Sequence, residues 1–67
     1  MKMLECHEAS AAVLLKEPEL LILVNALNET LEALEDWEIP IRVGARVEEI
    51  EKLNQSIREI LGELRRR

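Results

Sequence analysis

Side chains of metal-ligating or nucleophilic type stand together at one place in this chain, Glu5-Cys6-His7-Glu8. Thiolate and imidazole are both good zinc ligands, but a structural zinc site usually draws four of them from paired motifs. This chain has one cysteine and one histidine. Neighbours in a strand point to opposite faces, so Cys6 and His7 do not readily share an ion. A Cys–His nucleophile also needs spatial approach and a third group to orient the base. The expectation is a buried, structural Cys6 and an exposed His7, with no metal and no cofactor.

Carboxylates are the second candidate. Glu29, Glu32, Glu35, Asp36 and Glu38 fall within ten residues that contain no base. Paired carboxylates perform acid–base chemistry when burial raises one pKa. On an exposed helix face that condition fails, so the expected product is not an enzyme. Residues 29, 32 and 36 recur at three- and four-residue steps and are predicted to share one helix face, with 35 and 38 at its end. Acids there oppose the helix dipole and repel one another. A partner rich in arginine or lysine would relieve that repulsion and be steered toward the patch. The simplest competing account is a solvated face that keeps the chain soluble.

A third stretch, Ile41 to Ile50, places Gly44 before a helix-forming run, as helix-turn-helix DNA readers do. Arg42, Arg46 and Lys52 would be its phosphate or base contacts. Glu48, Glu49 and Glu51 stand at the start of that helix, where phosphate is repelled, and no aromatic is available to stack on bases. The two glycines, Gly44 and Gly62, are too far apart to form a phosphate-cradling loop. DNA reading is the weakest of the binding hypotheses.

The elements that must position these residues are few. The chain has 67 residues, 48% of them apolar, and a net charge of −5. It is expected to form a single domain over residues 1–67. The charge is uneven, with nine acids against Lys2 and Lys16 up to residue 40 and five acids against seven bases beyond it. Excess negative charge argues against non-specific nucleic-acid affinity. No apolar run approaches the ~20 residues of a membrane span, and the N-terminus lacks a signal-peptide core. The single cysteine suits a cytoplasmic protein.

The block opened by Glu17-Pro18-Glu19 predicts a helix over about 18–35, since proline and early glutamates suit a first helical turn. Leu20, Leu23, Leu27, Leu31 and Leu34 form its stripe. Leu21, Ile22 and Val24 make its first turns apolar on further sides, so that half is expected to be the more completely buried. A second helix is predicted over about 46–64. Val43, Ile50, Ile57 and Leu64 recur every seven residues, and Val47, Leu53 or Asn54, and Ile60 or Leu61 fill the other seam. Matched lengths imply an antiparallel pair. The connection 36–45, with Trp37, Ile39, Ile41 and Val43, is expected to fold back and bury Trp37 at the end of the pair. Residues 3–15 alternate around a polar break, His7 to Ser10, and read as a β-hairpin. The predicted fold is therefore small α+β, mainly α. The competing arrangement replaces the hairpin by a short helix and gives an all-α three-helix fold.

A domain this small is marginal alone, burying only ~60% of its unfolded surface. With no internal disulfide or structural metal to supplement it, self-association as a homodimer is expected. The functional expectation is a non-catalytic protein–protein interaction module whose acidic face binds or blocks a basic partner, in the manner of an inhibitor, immunity protein or antitoxin. The alternatives are a structural oligomerisation module without a charge-specific partner and, less favoured, a helix-turn-helix DNA-binding protein. No membrane association is expected.

Overall fold

The computed structural model describes all of residues 1–67. In chain order the elements are strands β1 (Lys2–Cys6) and β2 (Ala11–Leu14) and helices α1 (Glu17–Ala33), α2 (Glu38–Val43) and α3 (Val47–Arg65). This is a hairpin followed by two long antiparallel helices, with a six-residue helix in their connection. The small, mainly helical α+β architecture read from the sequence is the one found.

The hairpin pairs Lys2 with Leu14, Met3 with Val13, Glu5 with Ala12 and Cys6 with Ala11. Leu4 is the extra residue where the register shifts, a β-bulge in the first strand. The His7–Ser10 break forms the turn, in which the His7 N–H donates to the Ser10 carbonyl at 2.8 Å. Every residue of both strands is exposed. Cys6 is therefore exposed as well, contrary to the buried site expected for it. The reason is that a two-stranded ribbon has no interior, and here neither of its faces is covered.

Helices α1 and α3 begin with the same device, a glutamate three residues along that accepts a backbone N–H at the helix start, and Glu38 makes the same contact in the turn that leads into α2. Glu19 takes the N–H of Lys16 at 3.0 Å, Glu38 that of Glu35 at 3.1 Å, and Glu49 that of Arg46 at 2.9 Å. Lysine and arginine side chains have no acceptor, so only the glutamate half of a capping box is made at α1 and α3. The Met1 amino group and the Lys16 N–H hold the Glu19 carboxyl below the ordinary glutamate value. The Arg46 N–H, aided by the Arg46 side chain, does the same for Glu49. A carboxyl whose pKa is lowered on folding contributes stability above its unfolded value and loses it as pH falls through the folded one. Helicity is accordingly expected to hold from neutral pH down to the ordinary glutamate range and to decline below it. The Glu19→Gln, Glu49→Gln double variant should show a shallower acid decline by far-ultraviolet circular dichroism.

The long helices run antiparallel. Arg65 at the end of α3 bonds Glu17 at the start of α1 at 3.1 Å. The central cluster is Leu20, Val24, Ile57 and Leu61, with Leu15 and Leu27 packed against it. On α1 the inward line is thus buried Leu20 and Val24 followed by half-buried Leu27 and Leu31, and Leu23 falls on its flank. On α3 it is Ile50, Asn54, Ile57 and Leu61, so Asn54 and Leu61 occupy the second seam while Leu53 and Ile60 stay exposed. The seven-residue series holds only in its middle, because Val43 and Leu64 lie outside the contact. Both buried residues of α1, Leu20 and Val24, lie in its first half, as expected, but the further sides of that half stay open. Leu21 and Ile22 are exposed, since one neighbouring helix covers one stripe and nothing covers the others.

Asn54, only 7% exposed, sits in this seam. Its Nδ2 donates to Asn28 Oδ1 at 2.8 Å, and Arg58 donates to the same oxygen at 3.0 Å. Two donors on one oxygen fix the orientation of the Asn28 amide. Asn54 Oδ1 is left buried without a partner. A lone polar pair in an apolar seam penalises shifted alignments and so sets the register of the helices.

The connection departs most from expectation. α1 ends at Ala33, with Leu34 already extended (φ −106°, ψ 143°). Short α2 follows and is stopped by Gly44 at φ 80°, a left-handed cap that glycine adopts without strain. Ile39 is fully buried (0% exposed), whereas Trp37 is 69% exposed. The predicted burial of Trp37 is therefore wrong. Six residues of helix present one side inward, and Ile39 occupies it.

Candidate functional site

Near the hairpin turn, His7 Nε2 lies 3.1 Å from Glu5 Oε2, and both side chains are exposed. Cys6 Sγ makes only a long contact, 3.8 Å, to the His7 carbonyl. Nowhere do three or more His, Cys, Asp or Glu side chains converge as a metal would need. The three surface depressions are open grooves, one along the outer side of α3, one beside Trp37 and Ile41, and one between the hairpin's Met1 and Leu14 and Glu19 of α1. An arrangement of this kind holds an exposed ion pair when His7 is protonated, and nothing in it positions a third group.

The five acids of the predicted patch divide into three groups. Glu29 and Glu32 project from the last turns of α1, which contain no basic residue. Glu35 and Asp36 lie beyond the helix end, exposed in the joint before α2. Asp36 therefore does not share a helix face with 29 and 32, because the helix stops three residues earlier. Glu38 is committed locally. One of its oxygens accepts the Glu35 N–H, the other pairs with Arg42 at 3.2 Å, and its side chain is 20% exposed. Glu29, Glu32, Glu35 and Asp36 form no ion pair within the chain. They remain a solvent-facing concentration of negative charge at one end of the helix pair.

Two of the three residues considered for DNA contact are occupied otherwise. Arg42 pairs with Glu38, and Arg46 pairs with Glu49 at 3.3 Å. Lys52 is left without an ion-pair partner.

Reading single stripes from the sequence missed a larger feature. Fourteen large apolar side chains are exposed, against six apolar residues that are buried. Among the exposed ones are Leu53, Ile60 and Leu64 along one edge of α3 and Leu23 on α1. The signal was present in the spacing, since α3 carries a second apolar 4-3-4 line, 53-57-60-64, beside the first.

Compared with protein-family models, with curated proteins and with solved structures, the chain finds no match in any of the three. No helix is long and apolar enough to cross a membrane.

Proposed function

We propose that this chain is a non-catalytic interaction module that associates with itself and offers an acidic surface to a basic site on another protein, as an inhibitor, immunity protein or antitoxin would. The observation that carries this reading is the imbalance between six buried and fourteen exposed large apolar residues. A chain with so small a core gains its remaining burial from association. The four unpaired carboxylates at the α1–α2 joint supply the charge that steers a cationic partner.

Light scattering over a dilution series tests self-association. The expected mass is a multiple of 7.7 kDa at high micromolar concentration, and a monomer throughout would overturn the reading. The acidic surface is tested by changing Glu29, Glu32 and Glu35 to Gln together. Removing their mutual repulsion is expected to raise the melting temperature by a few degrees. Association with a basic partner captured from the host should slow markedly at low salt. An unchanged rate would reduce the patch to a solubilising face and leave the plain oligomerisation module. That alternative draws support from Glu38, one of the five acids, which serves as a helix cap.

A further inference from the structure

We propose that the more apolar side of the α1–α3 pair is the docking surface for a second copy of this chain, and that two such pairs close into a four-helix bundle. The inference rests on the self-association reading above and gives it a definite face.

Residues 20-24-27-31 of α1 and 50-54-57-61 of α3 meet inside the chain. Rotated one step on each helix lies a second line of the same pattern, Leu23, Leu27, Thr30 on α1 and Leu53, Ile57, Ile60, Leu64 on α3. Leu27 and Ile57 belong to both lines. A helix with one neighbour needs a single seam, whereas a helix in a four-helix bundle touches two neighbours and needs two adjacent ones. In an antiparallel pair, the same rotation on both helices brings the second lines to the same side. They therefore form one continuous face.

Its polar content is small. The Thr30 hydroxyl donates to the Ala26 carbonyl at 2.9 Å, which leaves its methyl as the free group. The charged groups at the helix starts on this side are paired, Glu19 with the Met1 amino group and Glu49 with Arg46, and both glutamates also cap. The opposite side is built differently, with the Glu17–Arg65 and Asn28–Arg58 bonds crossing between the helices. Leu53 at 53% and Ile60 at 51% exposed show that neither the hairpin nor α2 covers the apolar side.

Area and charge identify the occupant as a second copy. Helices of this length, at 1.5 Å per residue and about 9 Å apart, present a face of roughly 25 by 20 Å, or about 500 Å² in projection. Two copies then bury on the order of 1,000 Å², at the threshold for a specific interface. A two-fold axis parallel to the helices lays α1 of one copy on α3 of the other, so that all touching neighbours are antiparallel. The Asn28–Asn54 and Glu17–Arg65 bonds set the relative height of the helices. At that height Glu29 and Lys52, on the outer edges and unpaired within the chain, come to the same edge of the dimer within about one helical turn. Each copy thus supplies the other with the opposite charge.

Two measurements decide the matter. By light scattering the chain should have twice the 7.7 kDa mass, and Leu53→Glu should return it to one. Because destabilisation of that variant could mimic the result, single cysteines in a Cys6→Ser background provide the second readout. Alkylation of Ile60→Cys should be at least tenfold slower than that of Gln55→Cys on the polar side at high concentration, and the difference should vanish on dilution. A monomer at high micromolar concentration would sink both the proposed function and this inference. A dimer in which Ile60→Cys reacts as fast as Gln55→Cys would preserve self-association and place it on another face. A mass above two copies would rule out the closed bundle.

Discussion

Replacing Ile57 by aspartate is expected to abolish the folded state. Ile57 is 8% exposed, packs with Leu20, Val24 and Leu61, and lies on both the inner and outer lines of α3. Truncating a buried isoleucine costs about 2–5 kcal/mol from lost burial and the cavity left behind. A carboxylate there adds the penalty of a charge without water or a partner. At roughly 0.05–0.15 kcal/mol per residue, a chain this long has only about 3–10 kcal/mol to lose. Circular dichroism should show the loss of most helix at room temperature. Leu27→Asp, at a half-buried position against the same cluster, should be severe but less complete. Glu48→Gln, at an exposed position on α3, should melt like the parent. Full helicity in Ile57→Asp would mean that the α1–α3 contact is misassigned.

The second large effect is expected at Ile39 and is sharpest in comparison with Trp37. Ile39 is fully buried, so Ile39→Ala should cost about 2–5 kcal/mol. Trp37→Ala, at a mostly exposed site, should cost less than about 1 kcal/mol, in the range of ordinary surface changes. Size alone orders the two the other way, because tryptophan is the larger apolar group. Chemical denaturation of both variants reads the difference directly. Tryptophan emission provides a second check, since Trp37 should fluoresce near the wavelength of the free amino acid and be quenched readily by iodide. A blue-shifted, protected emission, together with a tolerant Ile39→Ala, would place the anchor of the connection at Trp37.

These expectations separate two kinds of information. The sequence alone pointed to a hairpin over about 3–15 with its break at His7–Ser10, and to two long helices flanking the segment around Gly44. Those features follow from local causes: alternation in the strands, proline and glutamate at the start of α1, three- and four-residue apolar spacing, and a glycine able to take positive φ. The acidic run was equally legible, because charge is a property of composition.

Tertiary structure decided which apolar residues are inside. Periodicity places Leu20, Leu23 and Leu27 on one side of a helix but does not set the rotation of that side relative to its partner. That rotation follows from packing α1 on α3 with Asn28 opposite Asn54, which turned Val24 inward and left Leu23 on the rim. In the same way the connection offered Trp37, Ile39, Ile41 and Val43 as candidates, and only the backbone path through the extended Leu34 and short α2 selected Ile39. Cys6 was misjudged because its burial depended on a surface covering the hairpin, and no local pattern encodes that. The acids at 29, 32, 35, 36 and 38 do not share one helix face, since the place where α1 stops is settled by the path into α2. Local sequence sets which elements form, because its interactions span a few residues. Burial compares surfaces distant in the chain, and it exists only once they have met.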